Sequence, residues 1–305
     1  MKFTVQDIQG IPLAELFAEM KLLRQKNFGE TVELCAIVNI KSGQCVMDCR
    51  FCAQSRYYKT ETSTYPLLAA EILQRETEVV WRWGVHRVGW VASGCAVDGD
   101  ELAKITDAAI GLSGGCLCAS LGQLGKKSLE RLQSAGVSRY HHNLETSERF
   151  YPVICATQRW SDRRKTVERA KEIGLEVCSG GLFGLGETWR DRIELAETLR
   201  ELEVDSVPIN FFNPIPGTPL GDRKPMSAEE GLRITALFRL MLPKTSIRIC
   251  GGRPVILGAR WPELFDAGAE ALMTGNYLTT SGFTVDDDLD LISKNGLRIA
   301  ETPSG

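Results

Sequence analysis

Cys45, Cys49 and Cys52 stand in CVMDCRFC with the spacing C-x3-C-x2-C, which places three thiolates on one short loop. Three thiolates can hold three irons of a four-iron cluster and leave the fourth iron open to an added ligand. Ferredoxin-type runs such as C-x2-C-x2-C-x3-C supply a fourth thiolate, and its absence here points to chemistry at an iron rather than electron storage. Zinc is the competing reading. It normally takes four ligands, commonly as paired C-x2-C or C-x2-C with H-x3-5-H, and none of the three histidines, His86, His141 and His142, lies near the triplet. Disulfide frameworks belong to small secreted domains, and the N-terminal stretch MKFTVQDIQGIPLAELFAEM lacks the uninterrupted apolar core of a signal peptide. Ten cysteines in such a chain therefore imply metal ligation in a reducing, cytoplasmic setting.

Such a loop needs a scaffold. The 305 residues suffice for one large α/β barrel, which uses about 250. Net charge is -3 and the isoelectric point about 5.8, with both signs interspersed. That argues against a nucleic-acid groove or a membrane surface as the main partner, and no run of 18 apolar residues suggests a membrane span. Short apolar runs at 32–39, 85–91, 116–120, 138–142, 176–179, 206–210, 246–250 and 271–274 alternate with amphipathic segments such as AAEILQRETEVVWRW and SAEEGLRITALFRLML. Alternating strand and helix patterns imply a parallel sheet with helical crossovers. We therefore expect an α/β fold: a TIM-type (β/α)8 barrel with an N-terminal helical extension, an open doubly wound sheet being the runner-up. A single domain over 1–305 would comprise a helical cap at 1–30, with its helix at about 12–25, a barrel at 31–283 and a C-terminal helix and tail at 284–305.

This layout puts the triplet directly after strand one, at the C-terminal face where such barrels build their active sites. Cys118, Asn143, Cys178, Asn210 and Arg248 then stand inside or just after later strands. A free cysteine taken alone often only packs. Arginine in a barrel strand is harder to dismiss, because its charge is permanent and needs a partner when buried. An anionic sulfide-bridged cluster held by Cys118 and Cys178 would be such a partner. GLFGLGE at 181–187 does not fit the dinucleotide fingerprint G-x-G-x-x-G; its glycines suit close backbone approach to a ligand. Asp286, Asp287 and Asp288 suit a solvated helix start.

The triplet resembles the signature of radical S-adenosylmethionine (SAM) enzymes, and from about residue 30 to 295 the chain resembles the biotin synthase family. NIKSGQCVMDCRFCAQSRYYKT, LCASLGQL, YHHNLETS, EVCSGGLFGLGET, DSVPIN, NPIPGTPL, IRICGGR and GNYLTTSG carry that resemblance in order. It implies insertion of sulfur between two unactivated carbons of dethiobiotin by cofactor-based radical chemistry, with no side-chain acid or base as catalyst. Cys45, Cys49 and Cys52 would ligate the SAM-binding 4Fe-4S cluster. Cys118, Cys178 and Arg248 would ligate an auxiliary iron–sulfur cluster, the sulfur donor. Glu145 would meet the SAM ribose and Arg163 its carboxylate; Asn143, Asn210, Thr279 and Thr280 would lie near dethiobiotin. An electron donor such as flavodoxin or ferredoxin is implied, and a homodimer is compatible with the resemblance.

One departure stands out. Many biotin synthases carry another auxiliary-cluster cysteine in strand two, where RVGWVASG here places Gly89. Cys155, in PVICATQ after strand four, is the preferred substitute, as in a subgroup of the family with an altered cysteine set; Cys95 is the second choice, and Cys116, Cys250 and Cys35 are less compelling. The auxiliary cluster could then be 2Fe-2S or a larger sulfide-bearing cluster. The competing functions are another enzyme on the same barrel, such as a methylornithine-synthase-like mutase or an FeFe-hydrogenase maturase, and a non-catalytic iron–sulfur scaffold.

Overall fold

Strand β1 (Thr31–Lys41) alternates without a break between buried and half-buried residues. Val32, Leu34, Ala36, Val38 and Ile40 are buried in the apolar layer between sheet and helices, which leaves Glu33, Cys35, Ile37, Asn39 and Lys41 on the opposite face. A computed structural model describes residues 4–85 and 87–300; residues 1–3, His86 and residues 301–305 lie outside the described residues.

After β1 come β2 (Arg87–Ala92), β3 (Cys116–Ser120), β4 (Val137–His141), β5 (Glu176–Cys178), β6 (Gly181–Phe183), β7 (Ser206–Phe211), β8 (Ser246–Ile249) and β9 (Ala271–Met273). Every pairing is parallel, and β9 returns to pair with β1. The sheet is thus a closed barrel of eight staves, which decides against the open doubly wound alternative.

The fifth stave is broken in two. β5 and β6 both pair with β7, and Ser179-Gly180 steps between them. A Cβ on Gly180 would lie 2.1 Å from the Pro208 carbonyl oxygen, so only glycine passes β7 that closely. Pro208, inside β7, has no N–H for the ladder. β6 occupies the start of the glycine-rich 181–187 segment, where the local sequence suggests only a loop; pairing with Ile209–Phe211 makes it a strand.

The crossovers are α2 (Ala70–Arg82), α3 (Gly99–Ala109), α4 (Lys126–Ser134), α6 (Trp160–Glu172), α7 (Trp189–Glu201) and α8 (Ala228–Met241), with one-turn helices α5 (Tyr151–Ile154) and α9 (Arg253–Ile256). Asp98 with Glu101, and Thr188 with Asp191, form reciprocal capping boxes that start α3 and α7. The N-terminal helix α1 (Leu13–Phe28) packs along α8 and buries Met20 and Arg24. The C-terminal helix α10 (Val285–Lys294) opens on a Thr284–Asp287 capping box. Its Asp288, expected at a solvated start, is instead buried against Arg253 at 2.7 and 2.8 Å. A last strand, β10 (Arg298–Ile299), pairs with the beginning of β1. Among the described residues no helix is long and apolar enough to cross a membrane.

Candidate active site

The triplet loop begins where β1 ends, with a sharp turn through Gly43 and Gln44 at φ 76° and 51°. A Cβ on Gly43 would sit 2.3 Å from the Thr64 hydroxyl, so that position needs glycine. Beyond it the loop folds back on itself: the Cys45 N–H donates to Gln54 O and the Arg56 N–H to Cys45 O, both at 2.9 Å. Asp48, between two of the cysteines, anchors the loop from outside. Its Oδ1 accepts the Ala156 and Thr157 N–H groups at 3.0 Å and the Thr157 hydroxyl at 2.7 Å. Burial alone would raise the Asp48 carboxyl, but these donors outweigh it and hold the group below its ordinary value. Cys45, Cys49 and Cys52 all line one cavity of about 400 Å³, a size suited to a small cofactor and substrate. Burial pushes the Cys52 thiol up to about 11; a metal that takes the thiolate would reverse that penalty.

The same cavity reaches down the barrel to Cys118, Cys178 and Arg248. Beneath them lies a layer of charge. Glu33 on β1 accepts from Arg87 of β2 at 3.2 Å, from Arg139 of β4 at 3.4 Å, and from Arg248 of β8. Glu176 on β5 accepts from Arg139 at 2.9 Å and pairs with Arg87 at 3.1 Å. Three guanidiniums thus face two carboxylates, and Nη1 of both Arg87 and Arg248 is buried without a partner. Burial raises the Cys178 thiol to about 11 although Arg139 pulls it down, and burial likewise raises Cys118 against the pull of Arg139 and Arg87.

The remaining candidates all line the same cavity. Arg163, from α6, donates to the Asn143 carbonyl at 2.6 Å, to Gln158 at 2.7 Å and to Glu145 at 3.2 Å. Glu145 adopts φ 69° and its carboxyl is raised by burial, with Arg163 opposing; holding a non-glycine residue there costs about 1–3 kcal/mol. The Asn143 carboxamide accepts the Gly180 N–H at 3.2 Å. Asn210 spans two strand ends, donating to Gly181 O at 3.3 Å and accepting from the Gly251 N–H at 3.1 Å. Thr279 and Thr280 form part of the rim, where Thr280 O accepts the Tyr277 N–H at 2.9 Å.

Comparison with known proteins fits this arrangement. Residues 39–199 match the model of the radical SAM superfamily, and residues 208–298 that of the Biotin and Thiamin Synthesis associated domain. Biotin synthase from Desulfovibrio desulfuricans is 48% identical over 293 residues, covering 95% of this chain and 93% of that protein. The biotin synthase of Thermodesulfovibrio yellowstonii is 49% identical over 297 residues, covering 97% and 94%. This chain belongs to the biotin synthase family. Its fold extends to more distant enzymes: a methylornithine synthase superposes with a TM-score of 0.84 at 21% identity over 99% of this chain and 95% of its own. An FeFe-hydrogenase maturase from Carboxydothermus hydrogenoformans gives 0.80 at 20% identity over 96% and 77%.

Membership of the radical SAM superfamily implies a 4Fe-4S cluster and SAM, and the thiols that line the cavity suit such a cluster. Unpartnered guanidinium N–H groups beside the lumenal thiols would suit the negative charge of such a cluster.

Cys155 is not brought to Cys118 and Cys178. It is held at the triplet loop, its thiol 3.3 Å from Asp48 Oδ1 and close enough to Cys49 to influence it, and it does not line the cavity. The reason is Asp48, which draws residues 156 and 157, and Cys155 with them, onto the outer side of the loop. Cys95 does line the cavity, but near the triplet: its thiol feels Cys45 and Arg163. Gly89 lies between Ile37 and Cys118 in the sheet register, and a Cβ there would meet only Ile37 Cγ2 at 3.5 Å and Ala36 O at 3.9 Å. Gly89→Cys should therefore fold with a melting temperature within about 2 °C of the parent, since ordinary packing absorbs the new atoms; calorimetry of the two proteins checks it.

Glu33, Arg87 and Arg139 escaped sequence reasoning. A signal did exist for Glu33 and Cys35: both occupy the half-buried parity of β1, the parity that faces the lumen.

Proposed function

We propose that this chain converts dethiobiotin to biotin, with SAM bound at a 4Fe-4S cluster held by Cys45, Cys49 and Cys52, and an auxiliary iron–sulfur cluster held through Cys118, Cys178 and Arg248. The observation that carries this reading is that two separate cysteine sets, one on the loop after β1 and one in the lumen, open onto a single cavity. When bound, the upper cluster and SAM supply a 5′-deoxyadenosyl radical, and the lower cluster supplies the sulfur atom.

The chain's own part is placement. Along β1, Cys35 and Lys41 are six residues apart, roughly 16 Å of barrel axis at 3.3 Å per residue and a 36° tilt. A substrate held between the two levels can be reached from both. Glu145 would take the ribose hydroxyls and Arg163, already fixed by three acceptors, the methionine carboxylate. Asn143 and Asn210 are pinned by backbone groups on one or both ends of their amides, so they present fixed rather than adaptable contacts to the ureido ring. Thr279 and Thr280 would meet the substrate carboxylate at the rim. An electron enters from a carrier such as flavodoxin or ferredoxin.

Anaerobic incubation of the reconstituted protein with SAM, reductant and dethiobiotin tests the whole reading, with biotin and 5′-deoxyadenosine as the expected products. Deoxyadenosine formed without biotin would transfer the chain to a methylornithine-synthase-like or maturase-like chemistry. Neither product from a fully loaded protein would make it a scaffold.

A further inference from the structure

Two more thiols open into the lower cavity. Cys35, on the lumenal parity of β1, lies two residues above Glu33 and is half-buried only because it borders the internal cavity. Cys250 follows Arg248 by two residues, on the same face of the chain as it leaves β8. It is fully buried and also borders the cavity, and its single close polar contact is the Arg248 carbonyl at 3.8 Å. The Cys250, Cys178 and Cys118 thiols are all near enough to Cys35 to raise it further, after burial, and Cys250 in turn feels Cys178. Staves one, three, five and seven thus each send one thiol to the same region, whereas stave two sends none because position 89 is glycine.

Packing is the ordinary role of a buried free cysteine, but these surroundings are not an apolar core. The four thiols stand over three arginines and two glutamates, a layer with one surplus positive charge and two unpartnered guanidinium nitrogens. A buried surplus charge calls for an anion. We propose that Cys35 and Cys250 ligate the auxiliary cluster together with Cys118 and Cys178, in place of the thiolate missing at Gly89; this rests on the auxiliary-cluster reading above. Each thiol gives up its proton to solvent as its iron–sulfur bond forms.

The test starts from the full chain carrying Cys45→Ala, Cys49→Ala and Cys52→Ala, reconstituted anaerobically with ferrous iron and sulfide, so that bound iron reports the lumenal site alone. That protein is expected to retain iron and sulfide. Adding Cys35→Ala or Cys250→Ala should at least halve the bound iron, whereas adding Cys155→Ala or Cys116→Ala should leave it unchanged. Cys35→Ser and Cys250→Ser keep side-chain size, and the iron they retain should show oxygen ligation in its Mössbauer spectrum. Full iron with a spectrum unaltered from that of the triple variant in the Cys35 and Cys250 variants overturns the proposal and leaves the auxiliary-cluster reading standing, as does iron lost only with Cys155→Ala. A triple variant that binds no iron overturns the auxiliary-cluster reading itself and the proposal with it.

Discussion

Cys52→Ala should reduce 5′-deoxyadenosine formation roughly a thousandfold or more, to the level of protein without its cluster, because the hard chemistry belongs entirely to the cofactor. Cys52 is the best member of the triplet for this experiment. Cys49 lies near the Cys155 thiol, and Cys45 lies near Cys95, so each has a neighbour that could take up iron in its place. The nearest thiol influence on Cys52 is Cys45, which already belongs to the set. Loss of the cluster absorption, iron reduced to the lumenal complement, and unchanged helix and strand content by circular dichroism should accompany the lost activity. Deoxyadenosine formation within tenfold of the parent would remove Cys52 from the ligand set.

The barrel was legible because each stave carries a short apolar run whose identity does not depend on its neighbours. The ends of the runs were less so. β1 reaches Lys41 rather than residue 39, since Asn39 and Lys41 are polar residues that face a lumen instead of ending a strand. β6 could not be read locally: Gly181-Leu182-Phe183 becomes a strand only because β7 lies beside it. The C-x3-C-x2-C loop was conspicuous because its chemistry is written in eight consecutive residues. Cys155 shows the opposite case. A loop cysteine's destination is set by what its segment docks on, and the dock is the Asp48 carboxylate more than a hundred residues away. Cys35 ranked low among the candidates because one thiol inside VELCAIVN looks like any other small apolar residue until its parity is read together with that of Glu33.

Glu33→Ala should lower the melting temperature of the cluster-free protein by roughly 4–8 °C, the equivalent of about 2–4 kcal/mol for a chain of this size. The mutation takes from Arg248 its carboxylate partner and from Arg87 and Arg139 one of two. The remaining carboxylate, Glu176, is 44% exposed and is screened by water. Glu33→Gln, which keeps an acceptor oxygen but no charge, should cost less than Glu33→Ala. Both effects should shrink once the protein is reconstituted, because an anionic cluster bound among the lumenal thiols offers the same three guanidiniums a new counter-charge, and a ligand that binds the folded state stabilises it by mass action. Anaerobic calorimetry of parent and variants, each with and without clusters, separates the two roles of the arginines. Equal losses in both forms would confine them to the ion network at the barrel base; a loss at least halved by loading would make them the electrostatic seat of the auxiliary cluster.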